Sequence, residues 1–177
     1  MIDLSKLKEH LSDSSRKLAD LTANMVFDEP SLVVPLLEVA WKDEYPWCQR
    51  ASRVLWICSE QYPELLQPHL SKIIRNLAGQ KSESVRRNFL KLFVDHDFRL
   101  KEKDSTMLMD LCFDYLNGTY SVGVKAYSMV VLYKLTKGIP EIQRELYEII
   151  ESQMDEASAG FKSQGMKIMK KIMSELR

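Results

Sequence analysis

The chain is poor in the features that usually announce a chemistry. Its three cysteines, Cys48, Cys58 and Cys112, are odd in number and show no CxxC spacing, which argues against a disulfide framework and a cysteine-bound zinc. Cys48 and Cys58 fall within a helical pattern, so buried free thiols are expected. Lys and Arg together number 25, as do Asp and Glu, for a formal net charge of +0. No overall field favours nucleic acid or an acidic membrane. No stretch approaches the roughly 18 uncharged apolar residues of a membrane span, and MIDLSKLKEH lacks a basic region followed by an apolar run. A cytoplasmic protein is expected. HExxH, a glycine-rich phosphate loop and GxSxG are all missing, and the six glycines are scattered. No catalytic residue, metal or cofactor is therefore predicted. Asp95-His96-Asp97 resembles a ligand cluster. On a helix, though, its members would point about 100° apart, and His96 would continue an apolar face as a core histidine. Asn117-Gly118-Thr119 reads as a turn.

What the chain has is helical periodicity. In Ser82 to Asp95, Val85, Phe89, Leu92 and Phe93 fall at i, i+4, i+7 and i+8, one face of a 3.6-residue helix. The same register fits Trp47, Ala51, Val54 and Leu55; Val122, Ala126, Met129 and Val130; and Phe161, Gly165, Ile168 and Met169. The steps between these units are 38, 37 and 39 residues. A helical unit repeated at a nearly fixed period is built by stacking.

The remaining helices follow in order. Leucines from Leu4 onward predict a helix over 4 to about 22, with Ser14 holding a gap in the apolar seam and the segment 1–27 capping the stack. Asp28-Glu29-Pro30-Ser31 opens a helix over 31–41 and Pro46 opens 47–61. Pro63 opens a helix that runs to Gly79, a residue suited to the left-handed conformation at a helix end. Further helices are expected over 105–116, 121–136, 140–154 and 158–176. Nothing alternates with period two for long enough to predict a strand. The reading is all-α: one domain over 1–177, with four helix pairs in 28–177 and the N-terminal cap.

YPELLQPHLSKIIRNL followed by SVRRNFLKLF resembles a HEAT repeat, with a proline in the first helix and a Val-Arg pair opening the second. Pro35 and Pro68 match the first-helix proline, whereas the third and fourth units have none inside that helix. The small fifth position is Ala51, Ala126 and Gly165, with Phe89 as the exception. The resemblance spans about Pro30 to the C-terminus. It implies a HEAT-like or armadillo-like α-solenoid, a right-handed α-α superhelix, and a non-enzymatic binding role.

Counting 100° per residue, the side of each second helix opposite the core carries Gln49, Arg53, Trp56 and Glu60 in the first unit and Arg87, Lys91, Val94 and Phe98 in the second. The third presents Val124, Ser128, Val131 and Leu135; the fourth Ser163, Lys167, Lys170 and Ser174. A basic row through Arg53, Lys91 and Lys167 thus runs beside an apolar row through Trp56, Val94 and Val131, with Phe98 and Leu135 next to it. Tryptophan and arginine are enriched at binding hot spots. These faces read equally as a concave groove or as packing surface for flanking helices. As a groove, they are expected to take an extended protein or peptide segment or an amphipathic helix with acidic flanks. The architecture is also distantly similar to the bacterial HEAT-like alkylpurine DNA glycosylases. That resemblance implies an aromatic and a carboxylate in a basic groove, which Trp56 and Glu60 match loosely. The zero net charge, a glutamate in place of aspartate and the lack of a second groove tryptophan depart from it.

Overall fold

The computed structural model describes residues 4–176, and every regular element among them is helical. The α-helices are α1 (Leu4–Glu9), α2 (Arg16–Asp28), α3 (Val33–Trp41), α4 (Trp47–Gln61), α5 (Leu70–Leu77), α6 (Glu83–Asp95), α7 (Glu102–Asn117), α8 (Val122–Leu135), α9 (Pro140–Ser152) and α10 (Ala159–Glu175). They fall into two compact units, Met1–Leu100 and Lys101–Arg177.

In the first unit α4 is the hub. It packs on α3, the first helix of its own pair, and is flanked by α2 on one side and α6 on the other. Contact on several sides explains why Cys48, Ala51, Ser52, Val54, Leu55, Ile57, Cys58 and Ser59 are all buried. In α6 the predicted face is the buried one: Val85, Phe89, Leu92 and Phe93. Phe89 stacks on Trp41 of α3 with ring centroids 4.4 Å apart. Ser82 caps α6 with its side chain. Gln80 ties the preceding turn down, donating from Nε2 to the Ala40 carbonyl at 3.3 Å and accepting from the Ser82 amide at 2.8 Å.

In the second unit α8 lies between α7 and α10, and α9 packs on α10. Phe161, Gly165, Ile168 and Ile172 are the buried positions of α10. A Cβ built on Gly165 would stand 2.8 Å from Ile150 Cγ2, so the small residue is required by the close approach of α9.

Five expectations are corrected. The N-terminal helix is two helices, because Ser15 starts a new one: its hydroxyl accepts from the Leu18 amide at 3.2 Å. The segment beginning at Pro63 opens with two short 3-10 turns, Pro63–Leu65 and Gln67–His69, and becomes α-helical only at Leu70. Pro68 lacks the amide an α-helix would need there. Gly79 is not left-handed; Gly138, at φ 83°, is the glycine whose backbone requires it. Helix α6 ends at Asp95, with His96 extended at φ −126° and ψ 150°. Finally, α8 is rotated from its expected register. Val124, Ser128, Met129, Val131 and Leu132 are buried, while Val122 is 43% exposed and Ala126 and Val130 are half-buried. The sequence VGVKAYSMVVLYKL is apolar on nearly every side, so its periodicity names no single core direction, and burial is decided by α7 and α10.

Candidate functional site

The α4–α6 ridge holds the strongest constellation of the expected residues. Its register is set by polar cross-links between the helices. Asn88 Nδ2 donates to Ser52 Oγ at 3.0 Å and to the Gln49 carbonyl at 3.4 Å, and His96 Nε2 lies 3.2 Å from Ser59 Oγ. With the helices pinned this way, Trp56 of α4 meets the last turn of α6. Its indole Nε1 donates to Asp95 Oδ2 at 2.9 Å, and Lys91 Nζ sits 4.5 Å from the ring centre. Lys91 also pairs with Asp95 at 2.9 Å, both groups being about a quarter exposed. Such a pair is worth at most about 1 kcal/mol, and the cation-π contact adds roughly 0.5–1 kcal/mol. The consequence is positional: a half-exposed indole is held by a carboxylate on its edge and an ammonium over its ring. No local signal in the sequence singles out Asp95, because its pairing with Trp56 depends on the α4–α6 register.

Other expected members are already occupied. Arg53 Nη1 donates to the Ser14 carbonyl at 2.6 Å. Glu60 accepts from Arg16 Nη2 at 2.7 Å, and Arg16 also binds Asp20. Arg50 donates to the carbonyls of Leu11 and Ser12, and Phe27 stacks on Tyr62 at 3.9 Å. The N-terminal segment therefore lies along the side of α4 that carries Arg50, Arg53 and Glu60. Trp56 and Val94 stay half-exposed and Arg87 is exposed.

Four more expected positions are corrected. Phe98 is beyond the end of α6 and turns back onto Phe93, with ring centroids 6.0 Å apart, and beside His96. An unwound C-terminus lets an apolar residue fold back toward the core, so Phe98 is no member of a helix row. Val131 is 1% exposed, and Val124 and Ser128 are buried with it, for the reason given for α8. Leu135 is half-buried, while Lys167 is exposed with Ser163, Lys170 and Ser174.

The three thiols are buried and free. Burial pushes Cys58 up to about 11 and Cys112 up to about 12, and raises Cys48 as well; all three are inert as nucleophiles near neutrality. Burial lowers the His69 imidazole, with Lys72 adding to the effect. A cleft of about 500 Å³ opens beside Tyr120, Lys125 and Phe161 in the second unit. The lysine there is engaged, donating to Gln153 Oε1 at 3.0 Å. Among the described residues no three His, Cys, Asp or Glu side chains converge as a metal site, and no helix is long and apolar enough to cross a membrane.

No curated protein and no solved structure matches the chain. The model of one family, the HEAT repeat domain, matches residues 6–172. That range takes in α4, α6 and α8, α10 as far as Ile172, and α2, which packs against α4. The chain belongs to the HEAT repeat domain family.

Proposed function

We propose that this HEAT repeat protein is a non-enzymatic scaffold that takes a protein segment on the α4–α6 ridge, with Trp56 as the anchor and Arg87 and Lys91 as its charged border. The observation that carries the reading is the preset indole: Trp56 is half-exposed yet fixed by Asp95 and Lys91. Ordering a side chain before binding removes part of the entropy cost of association. Tryptophan beside arginine is the usual composition of an interface hot spot. The basic border selects an amphipathic helix with acidic flanks over an extended basic segment. A DNA-binding role has less to work with, since Glu60 is paired with Arg16 and Arg53 is committed to Ser14. Phosphate binding draws on several unengaged cations and weakens steeply with salt.

The test compares wild type with Arg87→Glu in affinity capture from the source cells. Arg87 is exposed, so the variant should melt within a few degrees of wild type and lose the captured protein. Unchanged capture would exclude this ridge as the binding surface, and tight, salt-sensitive binding to a DNA duplex would support the nucleic-acid reading instead.

A further inference from the structure

We infer that Gln67 is a positioning residue for the ridge: it clamps the chain that leaves α6, and so keeps Asp95 against the Trp56 indole. The inference rests on Trp56 being the anchor of the ridge.

The end of α6 needs such a support. Asp95 closes the helix, and no basic residue lies in its last turn. A carboxylate there stands at the negative end of the helix dipole, beside carbonyls that have no amide partner within the helix. Lys91 offsets part of this from one turn back. Helix ends of this kind open locally far more readily than a core does. Asp95 is nonetheless the group that receives the Trp56 Nε1–H at 2.9 Å, so an open last turn would leave the indole without its carboxylate.

Three contacts oppose the opening. The His96 amide donates to the Leu92 carbonyl at 3.0 Å, and its imidazole lies 3.2 Å from Ser59 Oγ of α4. Phe98 folds back on Phe93 and beside His96. The third contact is Gln67, whose side-chain amide meets the Arg99 backbone in both directions. Nε2 donates to the Arg99 carbonyl at 2.8 Å, and Oε1 accepts from the Arg99 amide at 3.1 Å. One primary amide thus takes both main-chain groups of one residue, as a neighbouring strand would. Gln67 lies in the 3-10 turn Gln67–His69 ahead of α5, 32 positions before Arg99 in sequence. The break at Pro68 therefore leaves a turn that anchors the chain coming from α6. With Arg99 released, the run from His96 to Arg99 is held by His96 and Phe98 alone. Gln67 and Arg99 lie outside α4 and α6, so a change at Gln67 reaches the indole only through the end of α6.

Nuclear magnetic resonance of the full chain tests this, with the Trp56 indole N–H as the readout. Asp95→Ala gives the position of that resonance when the carboxylate is gone. Gln67→Met keeps the bulk of the side chain and removes both hydrogen bonds. Its indole resonance should move toward the Asp95→Ala position, and the indole proton should exchange with solvent about threefold faster or more. The amides of α2 should exchange as in wild type, and the melting temperature should stay within a few degrees. A resonance that keeps the wild-type position overturns the inference. So does a melting temperature lowered by more than that, or faster exchange in α2 as well, since Gln67 would then support the whole unit rather than the end of α6. The indole reports its own position with no partner present. Loss of capture in Arg87→Glu tests the ridge as a binding surface, whereas the resonance tests what holds Trp56, so the two can fail separately.

Discussion

Phe89 is the residue that departs from the repeat pattern, large where Ala51 and Gly165 are small. Its explanation is a single neighbour, Trp41, which ends α3 and presents a flat ring at 4.4 Å. Two rings stacked face to face fill the space that elsewhere is closed by a side chain lying directly on the helix backbone, as Ile150 lies on Gly165. Because Phe89 is fully buried, Phe89→Ala should cost about 3–5 kcal/mol, by transfer and by the cavity left under Trp41. Urea unfolding measures it; a loss below about 1 kcal/mol would mean that α3 and α6 close over the gap. Burial at Phe89 was legible from periodicity alone. The stacked partner was not, since Trp41 is 48 residues away in sequence and nothing local selects it.

At the scale of the element, the N-terminal segment shows how a helix is recruited. α2 packs against one side of α4 as α6 packs against the other, so it takes the position of a second helix beside α4. Its attachment runs through α4 arginines reaching back to main-chain carbonyls: Arg50 to Leu11 and Ser12, Arg53 to Ser14. Removing a charged donor strands carbonyls in a partly buried turn. Arg50→Ala should therefore lower the hydrogen-exchange protection of α2 amides while leaving those of α10 unchanged. Equal loss in both helices would show that the segment is no separate layer. Helices with a marked apolar face and a serine cap, such as α6 and α10, could be read to within a residue or two. α8 could not be oriented, being apolar all round.

For the whole molecule, the buried thiols predict how stability ends at high pH. Cys58 and Cys112 hold their protons to about 11 and about 12 in the native chain. In the unfolded chain a thiol ionises near the ordinary value of about 8.5. Below that value both states are protonated and stability is full. Above it the unfolded ensemble sheds protons first, so stability should fall as pH rises from about 9 toward about 11. Denaturant midpoints across this range should decline, and Cys58→Ala with Cys112→Ala should make the decline shallower. An identical slope in the variant would assign the fall to other groups. Thiol reagents at neutral pH should label the chain only as fast as it unfolds.

By itself the sequence determined the all-helical class, the helix starts at Pro46, Ser82, Pro140 and Ser158, the 37–39-residue repeat and the core faces of α4, α6 and α10. Those properties are encoded locally, in spacing and in the residues at helix ends. Tertiary structure alone decided which outward residues remain available. Arg53 and Glu60 are taken by the N-terminal segment, Val131 by the neighbours of α8, and Phe98 by the end of its helix, while Trp56 acquires Asp95 and Lys91. A helical periodicity states which side of a helix is apolar. Which groups lie across from it depends on the register between helices tens of residues apart, and no local pattern carries that.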